Sequence, residues 1–167
     1  MKMTNSFGKI HKTYAAIGGG AGLFIGGIVT VTVGSPLPVL RLLGGGAVLP
    51  PLWLMGLLWF MGYALAGAAV GMALPCIGMG AVREAHVWRG LTFLVLEVTF
   101  SFAWYSLSFG SFLLFPAWFC LLAGIGAGII CTLSWFRVHR LSCAAVGAVT
   151  VWLIYLALCH AIVILHN

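Results

Sequence analysis

Polar and apolar positions do not alternate along this chain with the period of a soluble helix or strand. They fall into long blocks. Apolar runs occupy about residues 14–33, 52–77, 90–109, 112–135 and 141–165. Each is long enough to cross a hydrocarbon core, which takes about 20 residues as a helix. The breaks between them are short. Gly34–Pro51 is rich in Gly and Pro, 78–89 carries Arg83, Glu84, His86 and Arg89, and 136–140 carries Arg137, His139 and Arg140. Gly110 and Ser111 leave almost no loop, which predicts that the third and fourth helices are antiparallel neighbours. The pattern therefore predicts an all-α integral membrane protein, a five-transmembrane-helix bundle forming one domain over residues 1–167.

Composition strengthens that reading. Of 167 residues, 63% are hydrophobic and 6% charged, against about 25% charged in an ordinary soluble domain. The net charge of +6 does not point to nucleic acid, because the basic residues form no stripe and no aromatic-basic motif. They segregate instead. Lys2, Lys9, Lys12, Arg83, Arg89, Arg137 and Arg140 share one side of the predicted topology, and only Arg41 lies on the other. The positive-inside rule then places the amino terminus in the cytoplasm and the carboxyl terminus outside. The lysines before the first run resemble a signal peptide, but the run is too long and no A-x-A site follows. Retention is expected.

Small residues recur at four-residue spacing: Gly18, Gly22 and Gly26, then Gly67 and Gly71, then Gly124 and Gly128. Such faces let helix backbones approach closely. Packing within one bundle and a homodimer seam both fit. The five cysteines form no CxxC pair and no zinc spacing, and are expected to act as small hydrophobes.

Glu97 is the only acidic side chain inside a predicted span. Charge there is costly, so such residues usually face a cavity or the bundle interior. Glu97, Ser101, Trp104 and Ser108 lie at i, i+4, i+7 and i+11, on one helix face. That stripe should point inward. Trp59 and Tyr63 share a face of the second helix, and Trp152 and Tyr155 share one of the fifth. Trp88, Trp118 and Trp135 sit near span ends, where indole prefers the interface. His160 reads as a satisfied interior histidine. No Ser-His-Asp set, phosphate loop, HExxH or carboxylate pair is present, so no catalytic residue, metal ligand or required cofactor is expected.

Pro50 and Pro51, Trp53, Trp59, Tyr63 and Gly67 spell PPxWxxxxxWxxxYxxxG without a gap. The stretch from Glu97 to Gly110 is similar to QLxLNxxWSxxFFG, and Trp152 and Tyr155 running to His160 are similar to PYxxWxxFAxxLN. These are motifs of the TspO/MBR family, the tryptophan-rich sensory proteins and translocator protein, and the chain resembles a divergent member. It departs where WYxxLxKP is replaced by Pro38–Gly46, and where Glu97, Ser101 and His160 stand for glutamine, asparagine and asparagine. The resemblance implies a pocket between helices for tetrapyrroles such as protoporphyrin, for another haem-type ligand, or in some members for sterols. It carries that pocket onto Trp59, Tyr63, Ser101, Trp104 and Trp152, to which Trp53, Glu97 and Tyr155 are added. The expected function is a membrane receptor or carrier for a flat hydrophobic ligand. A tryptophan-assisted porphyrin-degrading enzyme and a partner-dependent subunit, with Glu97 pairing to another membrane protein, are the alternatives.

Overall fold

The computed structural model describes residues 3–33 and 51–166, all helical apart from short turns. Helix α1 runs Met3–Val33. Helix α2 runs Leu52–Ala73 and tightens into a 3-10 turn over Leu74–Cys76. Helix α3 runs Ala81–Tyr105 and widens into a π turn over Ser106–Gly110. Helices α4, Leu114–Phe136, and α5, Arg140–His166, complete the set. The segments Trp53–Cys76, Ala81–Gly110, Leu114–Phe136 and Arg140–Leu165 are long and apolar enough to cross a membrane. Large apolar side chains such as Phe24, Phe115, Leu133 and Leu165 stand exposed around the bundle, a surface that a bilayer covers and water does not tolerate. The 34–50 segment, with Arg41, Pro50 and the departure at Pro38–Gly46, lies outside the described residues, so their part in the topology and motif readings is not placed.

Local chemistry sets the helix ends. Pro51 caps α2 with an extended ψ of 142°, and its carbonyl accepts from Leu54 and Met55. Proline has no amide to lose there. Pro75 ends the same helix in the 3-10 turn. Gly78 and Gly80 take φ of 80° and 119°, a region that glycine enters without strain, and turn the chain into α3. Helix α3 starts nine residues before the expected span at Gly90. Arg83, Glu84, His86 and Arg89 form its first turns rather than a loop, because their side chains reach solvent while the backbone stays hydrogen-bonded. The polar start of α1 is likewise helical.

Helices adjacent in sequence form hairpins. α1 packs along α2, and α3 along α4 as the tight turn requires. Helix α5 packs on both α4 and α2, and α2 and α3 barely touch. The α1–α2 seam is glycine on glycine. A methyl at Gly18 would strike the Gly67 carbonyl, one at Gly22 the Tyr63 carbonyl, and one at Gly71 the Tyr14 carbonyl. These faces, one candidate for a homodimer seam, are thus occupied within the chain.

Trp135 corrects the interfacial reading. It is fully buried, lies over Gly90 and donates Nε1–H to the Val87 carbonyl at 3.3 Å. Gly90 makes the room, and helix-end position alone did not reveal it. Trp88 stays exposed, as an interfacial indole should, and half-buried Trp118 donates to the Ala157 carbonyl. None of the five cysteines forms a disulfide among the described residues.

Candidate ligand-binding site

Where α2 and α3 separate, a cavity opens with α5 as its third wall. It is narrow, with room for water-sized occupants of only about 40 Å³. Helix α2 presents Leu58, Trp59, Gly62, Tyr63 and Ala66, α3 presents Leu94, Glu97, Val98 and Ser101, and α5 presents Val149, Trp152 and Leu153. On each helix these fall at the three- and four-residue spacing of one face.

The aromatic rings form a connected wall. Trp59 meets Tyr63 edge-on at 5.7 Å, Trp104 at 5.7 Å and Tyr105 at 5.3 Å between ring centroids. The rings continue through Phe109, 5.7 Å from Trp104, toward the π turn. Such pairs add about 0.5–1.5 kcal/mol each beyond area burial. Trp104 stands behind Trp59 rather than on the cavity surface. Its Nε1–H donates to His160 Nδ1 at 3.3 Å, and His160 Nε2 lies 2.8 Å from the Leu114 carbonyl. Donating to that carbonyl and accepting from Trp104 fixes the ring as the Nε2–H tautomer.

The stripe on α3 points inward as expected. Glu97, Ser101, Trp104 and Ser108 are all buried, Glu97 to 1% exposure. Ser101 spends its proton on the Glu97 backbone carbonyl, 2.7 Å away. The Glu97 carboxyl lies against Gly128 of α4, where a methyl would meet its Cδ at 2.8 Å. Oε1 accepts from the Thr150 hydroxyl at 3.0 Å, and the same hydroxyl is 3.0 Å from the Val146 carbonyl, so one proton serves two acceptors. Within this chain the carboxyl is thus enclosed by α3, α4 and α5.

Four polar atoms on cavity-lining side chains are buried with no hydrogen-bond partner among the described residues: Trp59 Nε1, Tyr63 Oη, Glu97 Oε2 and Trp152 Nε1. Leaving a buried donor or acceptor unpaired costs about 1–3 kcal/mol. Two indole donors, a phenol and a carboxyl oxygen around an otherwise apolar space form a site with hydrogen-bonding capacity in reserve.

The family model of the TspO/MBR family matches residues 14–165. The chain belongs to the TspO/MBR family. No curated protein and no solved structure matches it. The TspO/MBR match begins at Tyr14, so it covers the apolar length of α1 and all of α2 to α5 except the last residue, His166.

The structure of this TspO/MBR protein brings Trp59, Tyr63, Glu97, Ser101 and Trp152 to one cavity, with Trp104 directly behind. It does not bring Trp53 or Tyr155 there. Trp53 is 71% exposed one and a half turns before Trp59, and Tyr155 is 41% exposed with its ring stacked on Trp152 at 5.5 Å. Sequence reading missed Thr150 and Gly128, which hold the Glu97 carboxyl. Thr150 had one signal, as a polar residue in the middle of an apolar run. Gly128 looked the same as a packing glycine. No group of three His, Cys, Asp or Glu side chains able to hold a metal is found among the described residues.

Proposed function

We propose that this TspO/MBR protein is a membrane receptor or carrier that takes a flat, hydrophobic, polar-edged molecule of the tetrapyrrole class into the α2–α3–α5 cavity. The observation that carries this reading is the set of four unpartnered polar atoms on the walls of an apolar, aromatic cavity. Aromatic faces suit stacking on a macrocycle. The unpaired donors suit the carboxylates and carbonyls at the edge of such a molecule. The cavity is small for a whole tetrapyrrole, so entry requires α2 and α3 to part, and the sparse contact between them makes that seam the easiest to open.

The same reading makes α1 the fifth span. Its apolar length from Tyr14 to Val33 exposes Ile17, Phe24 and Val31 on the face turned away from α2. Among the described residues, every lysine and arginine lies toward the end of the bundle where α1 starts and where α4 joins α5. That bias supports a cytoplasmic amino terminus.

Protoporphyrin IX binding, read from the shift of its own absorbance band in detergent, tests the site. We expect saturable binding that weakens about tenfold in Trp59→Ala and in Trp152→Ala, the loss of one stacked and hydrogen-bonded contact. Unchanged affinity in both variants overturns the assignment.

A further inference from the structure

A second cavity lies at the other end of α3. The first turns of that helix and the α4–α5 junction border an open space of about 470 Å³, lined by Met79, Val82, Arg83, His86 and Arg137. It has no wall in common with the aromatic cavity.

Its chemistry is one-sided. Arg83 and His86 are three residues apart and face the same way, and Arg137 meets them from the end of α4. The nearby acid does not balance them. Glu84, the only carboxylate in the first turns of α3, lies 3.3 Å from the Gly78 amide through Oε2 and 3.4 Å from Trp88 Nε1 through Oε1. Arg83 donates to the Met79 thioether sulfur at 3.6 Å, a weak acceptor for a guanidinium. Among the described residues, neither arginine has a carboxylate within ion-pair distance. Two planar guanidinium groups converging on one space match the oxygens of a phosphate, which each can engage through two N–H donors.

The surroundings add a second requirement. Met79 and Val82 are exposed beside the arginines, Val82 to 76%, and Trp88 is exposed further along α3. A soluble phosphate ester has no use for them. An acyl chain and its glycerol ester carbonyls do, and an exposed indole at a helix start is a preferred neighbour of that region of a bilayer. Basic cavities between membrane helices are suited to anionic headgroups.

We infer that the cavity between the start of α3 and the end of α4 binds the phosphate of an anionic phospholipid, with Arg83 and Arg137 as its two clamps. His86 closes the third side as a hydrogen-bond donor, and Met79 and Val82 seat the start of the acyl region.

Native mass spectrometry of the purified full chain tests this, using equimolar dioleoylphosphatidylglycerol and dioleoylphosphatidylcholine in detergent. The wild type should retain phosphatidylglycerol over phosphatidylcholine by about tenfold, and Arg83→Gln/Arg137→Gln should bring the ratio close to parity while its circular dichroism stays helical. Arg89→Gln lies outside the cavity and removes one charge from the same end. It should keep the preference. Millimolar glycerol phosphate should leave the adduct in place, since it lacks the apolar contacts. No preference in the wild type, a preference that survives the double substitution, or an equal loss in Arg89→Gln overturns the site. Displacement by glycerol phosphate overturns the lipid as its occupant.

Discussion

Helix α2 has two working faces, and they are built in opposite ways. Toward α1 it offers Gly67 and Gly71, and the two backbones touch so closely that a single methyl has nowhere to go. Toward α3 it offers Trp59, Gly62 and Tyr63, and the neighbouring helix stands off far enough to leave a cavity. Lipid supplies no hydrophobic drive between helices, so the first face holds by van der Waals contact over a long seam. The second face gives up that contact and keeps unpaired polar atoms instead. One helix therefore carries both the firmest seam of the bundle and its loosest. The position of a glycine on the helix, and not its presence, decides which seam it serves.

Paired substitutions test that contrast most sharply. Gly67→Ala should be the most damaging, because its Cβ meets the Gly18 carbonyl and no side chain is there to move. We expect a loss of about 3 kcal/mol or more, read as a lower thermal midpoint by circular dichroism in detergent. Gly128→Ala comes next. Its methyl meets the Glu97 carboxyl and the Thr150 hydroxyl, which are side chains and can shift, so a cost of about 1–3 kcal/mol and a disturbed ligand affinity are expected together. Gly62→Ala should do the reverse of Gly67→Ala. Nothing lies within 4 Å of a Cβ there, so stability should hold or rise by up to about 1 kcal/mol from helix propensity, while protoporphyrin affinity falls several-fold as the methyl enters the cavity. If Gly62→Ala and Gly67→Ala destabilise equally, the two faces of α2 are not different in kind.

The smallest effect concerns the polar end of the α1 seam. His11 of α1 stacks on His139 of the α4–α5 turn, with centroids 5.1 Å apart and planes within 14°. Burial first, and then the charge of His11, hold the His139 imidazole below its ordinary value of 6.5. The folded state thus prefers the neutral ring. Its stabilising contribution is present above about pH 6.5 and is lost as pH falls and the unfolded chain takes up the proton more readily. The thermal midpoint should drop modestly from about pH 7.5 to about 5.5, and His139→Gln should flatten that dependence.

Much of this arrangement was legible before any coordinates. Run length gave the helices, because a bilayer imposes one length on every span. The inward stripe of Glu97, Ser101, Trp104 and Ser108 followed from helical spacing alone, and so did the pairing of Trp59 with Tyr63. What spacing could not supply was the third dimension. Trp53 fits the α2 motif as well as Trp59 does, yet it points outward, because a step of six residues turns it to another face of the helix. Tyr155 shares a face with Trp152 but sits one turn further round the wall. Trp135 looked interfacial from its position near a span end and is buried because Gly90, 45 residues earlier, leaves space for an indole. The start of α3 was hidden for a different reason: charged residues interrupt an apolar run without interrupting a helix.

Helix α5 joins the two hairpins. The α1–α2 pair and the α3–α4 pair can each form from segments adjacent in the chain, but they barely meet until α5 lies between them. It also brings Trp152 to the cavity wall and Thr150 to Glu97. In a chain made from its amino terminus, these arrive after the other four helices. A chain that has not yet made α5 therefore has neither a closed wall nor a partner for its intramembrane carboxyl, and the cavity takes shape only when α5 packs between the two hairpins.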